Sequence, residues 1–185
     1  MIKIRQATPS DARQLAEFAE STFRDTSAEY TTSESMESYC VSAFGESKQA
    51  QELADPGYTI LVAQSGNELV AYAQLKWGEG PQCITSARTG EIHRLYVARA
   101  WHGQGLAKEL MIACLAEFDR RNTDCVWLAA WENNARAISY YKKFNFREAG
   151  TQVFHLGSDL QNDIIMARYS KNQSESIGNE PLLES

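Results

Sequence analysis

Residues 91–116, EIHRLYVARAWHGQGLAKELMIACLA, constrain the fold of this chain more than any other stretch. Glu91–Val97 carries β-branched and aromatic residues with no Gly or Pro, and so predicts a strand. Residues 98–103 break that pattern. From Gln104 the apolar residues Leu106, Ala107, Leu110, Met111, Cys114 and Leu115 recur at helical spacing. Gly103 and Gly105 lie in the turn between strand and helix. Without a Cβ, each lets the backbone come close to a bound group. They also stand where the first amides of the helix are unpaired, and those amides with the helix dipole favour an anion, most simply a phosphate. A tight strand-to-helix connection that binds nothing would carry the same Gly-x-Gly pattern. The dinucleotide fingerprint fails because Lys108 stands where a third small residue is required, and the P-loop spacing is absent.

A longer pattern makes the turn specific. His102-Gly103-Gln104-Gly105-Leu106-Ala107 resembles the pyrophosphate loop of the GNAT family of N-acetyltransferases, Arg/Gln-x-x-Gly-x-Gly/Ala, with His102 where Arg or Gln is usual. A second block, residues 127–134 (WLAAWENN), then Arg136-Ala137-Ile138 and residues 140–146 (YYKKFNF), resembles that family's second motif. Asn145 replaces the usual Gly there, and Asn enters the left-handed region more readily than most residues. With both motifs in order, the chain is identified as similar to GNAT proteins. The resemblance implies an α/β (α+β) fold, a mixed and mostly antiparallel central sheet flanked by helices. In it the strand Glu91–Val97 splays from Val126–Trp131 to hold the cofactor. Outer segments, from Thr22 to Phe44 and around residues 154–159 and 163–166, resemble bacterial PaiA-type spermidine/spermine N-acetyltransferases.

The length of 185 residues suits one domain, expected over residues 1–169 with a polar, disordered tail over 170–185. No apolar run is long enough to span a membrane, and MIKIRQATPSD carries no signal segment. Cys40, Cys83, Cys114 and Cys125 form no Cys-x-x-Cys pair, so free buried thiols and a cytoplasmic setting are expected, with no metal. The net charge is −6, which argues against nucleic-acid binding. It is unevenly spread. Residues 11–55 hold ten acids against three bases, and residues 94–143 hold eight bases against five acids. A polyanionic cofactor suits the second region, and a cationic partner the first unless its acids are solvated helix faces.

Other elements follow from pattern. A first strand is expected over Ile2–Ala7, with a helix start at Thr8-Pro9-Ser10-Asp11. A second helix from about Thr32 continues or restarts to Ala54, and a hairpin joins Tyr58–Gln64 to Glu68–Trp77. Residues 78–89 are expected to be a mobile loop. Closing strands are expected over 146–156 and Asp163–Tyr169.

The resemblance implies acetyl-CoA as co-substrate, moved to a primary amine. It implies cofactor contacts from the backbone of Leu95, Tyr96 and Val97, and from the turn His102, Gly103, Gln104, Gly105, Leu106 and Ala107. Asn134 and Ala137 are expected on the cofactor arm, and Lys108 near the phosphates. Tyr141 matches the motif tyrosine, the expected general acid or proton relay at the leaving thiolate. Glu91 is the expected base, acting through a water, unless it is an edge carboxylate paired with Arg94 or Arg99; His93 is the alternative base. Glu29, Glu34 and Glu37 are expected to draw in a small cationic amine such as spermidine or spermine. Another small amine or a protein N-terminus, a non-catalytic acetyl-CoA-binding module, and a homodimer stay open.

Overall fold

The computed structural model describes residues 1–27, 31–156 and 158–170. The strands are β1 (Ile2–Gln6), β2 (Tyr58–Ser65), β3 (Glu68–Trp77), β4 (Thr89–Val97), β5 (Cys125–Trp131), β6 (Arg147–Leu156) and β7 (Asp159–Tyr169). The helices are α1 (Ala12–Ser27), α2 (Ser33–Phe44), α3 (Glu46–Ala54), α4 (Leu106–Arg120) and α5 (Ala135–Lys142). The strands form one sheet in the order β1-β2-β3-β4-β5-β7-β6. Neighbours run antiparallel except β4 and β5, which are parallel. This is the mixed, mostly antiparallel GNAT-type sheet that the motifs predict. The expected tail, beyond Ser170, lies outside the described residues.

Strands β2 and β3 are apolar on both faces because both faces are covered. Leu61, Ala63, Ala71, Ala73 and Leu75 point into one cluster with Leu106, Leu110, Met111, Cys114 and Phe118 of α4. The alternate residues Ile60, Val62 and Tyr72 join Leu15, Ala19 and Phe23 of α1 and Met36, Cys40 and Phe44 of α2 on the opposite face. The start of α1 is set as expected. Asp11 accepts hydrogen bonds from the Thr8 amide at 2.7 Å and from the Arg5 guanidinium at 2.8 Å. That guanidinium, with the Thr8 donors, holds the Asp11 carboxyl down at about 2.

One open alternative is decided and three local expectations need correction. The helix from Thr32 restarts rather than continues, because Gly45 adopts an extended ψ of 145°. The strand β7 begins at Asp159, four residues earlier than expected, because Asp159 already pairs with Leu156 of β6. Residues 78–88 are fastened. Ile84 is buried beside Cys125, Trp127 and Ile165, and Thr89 donates to the Gly78 carbonyl. Cys83 in that loop is exposed, whereas the other three thiols are buried.

Two features at β4 position the site. Gln74 pairs with Arg94 but Leu75 pairs with Ile92, so His93 is an extra, bulged residue. The bulge puts Ile92, Leu95 and Val97 in the α4-side cluster and turns Tyr96 to the α1–α2 side. The second feature is an early parting. β4 pairs with β5 only at Thr89–Cys125, Gly90–Val126 and Glu91–Trp127, although both strands run on. Gly90 lies inside this short paired stretch, and a Cβ there would overlap the Phe118 ring of α4. Gly90→Val should therefore cost about 1–3 kcal/mol through overpacking, seen as a lower denaturation midpoint at unchanged denaturant dependence. An unchanged midpoint would show that α4 yields freely.

Candidate active site

The parting of β4 from β5 opens a cavity of about 770 Å³ that passes through the sheet. One end lies at the start of α4. Gly103 and Gly105 have φ of 77° and 87°, the left-handed conformation in which a Cβ is strained, and a Cβ on either would meet no atom within 4 Å. The first backbone amides of α4 therefore face open space with no side-chain cap. An anion such as a pyrophosphate fits this cradle. Gly103, Gly105, His102 and Ala107 line it. Gln104, Leu106 and Lys108 do not reach the cavity with their side chains. Gln104 donates to the Ala100 carbonyl at 2.7 Å, Leu106 is in the core, and Lys108 is exposed. The contribution left to Leu106 and Lys108 is the backbone amide.

His102, the departure from the motif, is exposed but reaches back to β4. Its Nε2 lies 2.8 Å from the Val97 carbonyl, so Nε2 carries a proton and the ring staples the turn to the end of β4. Leu95, Tyr96 and Val97 line the gap with the β4 edge that β5 leaves unpaired. Across it, Asn134 caps α5, its Oδ1 accepting the Ala137 amide at 3.0 Å. Both residues line the cavity, and the Asn134 side-chain nitrogen stays available as a donor.

Tyr140 and Tyr141 divide their work. The Tyr140 hydroxyl donates to the Ala107 carbonyl at 2.6 Å and ties α5 to α4. Tyr141 also lines the cavity, and its hydroxyl has no hydrogen-bond partner among the described residues. Burial pushes that phenol up to about 12. A phenol at that value stays protonated at any working pH. Full transfer to a thiolate of ordinary pKa would be uphill by roughly 5 kcal/mol, so its chemistry is that of a hydrogen-bond donor.

Glu91 pairs with neither Arg94 nor Arg99. Its Oε1 lies 2.9 Å from His93 Nδ1, and its side chain is only 13% exposed. A carboxylate there holds the proton on Nδ1 and leaves Nε2 as the ring's acceptor, so the two candidate bases form one unit. Arg94 is instead buried with Glu52 at 3.2 Å and Gln74 at 2.8 Å.

The acids of residues 11–55 do not form the wall expected of them. Asp11, Glu17, Glu20, Glu37 and Glu52 are held in ion pairs. Glu34 and Glu37 are exposed on α2 and neither lines the cavity; Glu37 bonds Arg24 at 2.6 Å. The N-terminal spacing of α2 turns Met36, Cys40 and Phe44 inward, which puts these acids outward. Glu29 lies outside the described residues.

Comparison with known proteins bears on this geometry. The model of the acetyltransferase (GNAT) family matches residues 14–146. An uncharacterized N-acetyltransferase of Mycobacterium tuberculosis is 32% identical over 159 residues, covering 86% of this chain and 97% of that one. The chain belongs to the GNAT family. A second relative, an uncharacterized N-acetyltransferase from Lactobacillus delbrueckii subsp. lactis, is 25% identical and covers 90% of this chain and 96% of its own. The fold also matches the crystal structure of a PaiA N-acetyltransferase from Thermoplasma acidophilum in complex with coenzyme A. The TM-score is 0.76 at 22% identity, covering 92% of this chain and 99% of that one. As a GNAT protein it is an acetyl-CoA-dependent N-acetyltransferase, and among the described residues no cluster could hold a metal.

One residue of this GNAT cavity escaped sequence reading. Asp163 of β7 is 8% exposed, lines the cavity, and pairs across the sheet with Trp131 and Gln152. In the sequence it looks like the polar start of an apolar strand. Its alternation with the inward residues Gln152 and Phe154 of β6 was the available signal. Burial, opposed by the Gln152 hydrogen bond and reinforced by the Glu132 charge, pushes Asp163 up to about 6. Its folded pKa is thus raised, so the folded protein binds more protons than the unfolded chain between about pH 4 and 6. Stability from this group is present below that window and lost as pH rises through it. Asp163→Asn should therefore raise stability at pH 7.5 by up to about 3 kcal/mol, with the difference shrinking towards pH 4. Equal melting shifts at both pH values would contradict this.

Proposed function

We propose that this enzyme acetylates the primary amine of a small polycation, spermidine or spermine being the best-fitting class. The observation that carries the reading is one cavity through the sheet, with a phosphate cradle on the α4 side and the Glu91–His93 pair lining it. Acetyl-CoA, when bound, supplies the acetyl thioester. The α4 amides at Gly105–Lys108 would hold its pyrophosphate, and the free β4 edge at Leu95–Val97 would align its arm like an added strand. His93 Nε2, with Glu91 holding the ring, takes a proton from the incoming ammonium, directly or through water. An amine of ordinary pKa near 10 is almost wholly charged at neutral pH, so this step is needed before its lone pair can attack. A backbone amide of the β4 edge polarises the carbonyl oxygen, and Tyr141 donates a hydrogen bond to the departing sulfur.

The acceptor class rests on three supports. The α1–α2 side of the cavity is walled by Phe23, Tyr39 and Phe154, whose faces suit a cation. The carboxylates on the same cavity, Glu91 and Asp163, carry no Lys or Arg partner among the described residues. The resemblance of residues 22–44 and 154–166 to PaiA-type sequences points the same way, as does the name of the Thermoplasma protein of like fold. A purely binding module would have no use for the Glu91–His93 pair and the unpartnered Tyr141 hydroxyl in one cavity.

A steady-state thiol-release assay over polyamines, monoamines, amino acids and peptide N-termini tests the reading. Spermidine should give the highest kcat/KM; a peptide N-terminus outpacing every polyamine would overturn the acceptor class. In the same assay Tyr141→Phe should lower kcat by about 10²–10³-fold, the scale of one lost transition-state donor, while acetyl-CoA affinity is kept. Unchanged kcat with chemistry rate-limiting would make Tyr141 a packing residue.

A further inference from the structure

The side of the sheet away from α4 holds two carboxylates, and they are not a dyad. Glu91 pairs in register with Trp127 of β5, whereas Asp163 pairs with Trp131. Four residues of strand separate those levels, about 13 Å along the strand direction. One proton cannot be shared over that span, so the two acids face different groups. Asp163 has Trp131 on one flank and Gln152 on the other, with Tyr39 and Phe154 lining the same cavity. Gln152 is its cross-strand neighbour, and the nearby Glu132 adds negative charge. Among the described residues no cation pairs with Asp163, and the buried cation among them, Arg94, is committed to Glu52 and Gln74. A carboxylate more than nine-tenths buried without a cation is costly unless something bound supplies the charge.

We infer that Asp163 is the specificity residue of the acceptor site, binding a second, non-reacting ammonium of the amine substrate beside the aromatic wall that Tyr39 and Phe154 form together. This rests on the reading of the protein as an amine acetyltransferase and names the residue that selects polycations over monoamines. The reacting nitrogen stays at the Glu91–His93 pair. The other ammonium loses its water to an aromatic-lined carboxylate, where a charge-assisted hydrogen bond is stronger than in solvent. A monoamine reaches the same reacting position but leaves Asp163 without a partner.

Binding to the coenzyme A-loaded full-length protein, measured by calorimetry with spermidine and n-butylamine, separates the cases. Asp163→Asn should weaken spermidine by at least about tenfold and n-butylamine by less than about twofold, and Asp163→Glu should keep most of the discrimination. Asn is expected to fold at least as stably as the wild type, and its melting temperature checks this. Equal weakening of both amines, or of neither, overturns the inference. So does a fall in kcat for both amines at unchanged affinity, which would make Asp163 a proton acceptor and leave acetyl transfer standing. Selective loss of spermidine binding in a protein that acetylates no amine would keep the inference and sink the enzymatic reading.

Discussion

The structure depends on two parallel strands that stop pairing. β4 and β5 exchange hydrogen bonds over three residue pairs and then part, although each continues as a strand. Unpaired strand edges inside a protein are costly, so the parting needs to be enforced. Two devices enforce it. Phe118 of α4 closes onto Gly90 with no room for a side chain, which anchors the paired end. The bulge at His93 then re-aims the rest of β4, so that Leu95 and Val97 pack towards α4 while Arg94 and Tyr96 enter the opposite layer. The free edge that remains has the hydrogen-bonding pattern of a strand awaiting a partner.

The opposite layer is held by polar contacts as well as by its core. Arg94 stacks 5.0 Å from the Phe44 ring and bonds Glu52 and Gln74, while Gln74 bonds Glu52 at 2.7 Å. Arg94, Glu52 and Gln74 thereby each have a partner, the condition under which a buried ion pair is tolerated. At the far side α2 is fastened to the β6–β7 hairpin. Thr31 and the Thr32 amide donate to Asp159, and Ser35 meets Ser158 at 3.1 Å. These contacts set the spacing between Tyr39 on α2 and Phe154 on β6, whose rings meet edge to face at 5.5 Å. The acceptor wall is therefore built from three distant chain segments.

This explains what could be read in advance. The strand–turn–helix at Glu91–Ala116 was legible because its cradle is made by backbone conformation, which leaves a local trace in Gly103 and Gly105. Asn145, at φ of 65°, fits the same logic. Tyr141 was legible through its motif, though not the upward shift of its phenol, which comes from packing against α4. The acceptor side was not legible. Ten acids along residues 11–55 suggested a cationic site there, yet helical period turned Glu34 and Glu37 to solvent and Arg5, Arg13, Arg24 and Arg94 neutralised others. Local charge density says nothing about which face a helix presents. Asp163 was hidden for the converse reason. It is one acid at the start of an apolar run, and only the pairing of β7 with both β5 and β6 puts it inside the cavity.

The two halves of the cavity thus follow different physical rules. On the α4 side, uncapped amides face the cavity, and almost any side chain pointing outward is compatible with them; Gln104 and Lys108 are exposed at no cost to the cradle. On the α1–α2 side, the cavity is lined instead by side chains brought in from α1, α2, β4, β6 and β7. His102 sits at the join. By bonding the Val97 carbonyl it links the glycine turn to the end of β4, so the position of the cradle and that of the strand edge are tied by one contact. In the function proposed above, a fold arranged this way could keep its acyl donor while its acceptor changes, because the residues that would hold the donor are not those that would choose the amine.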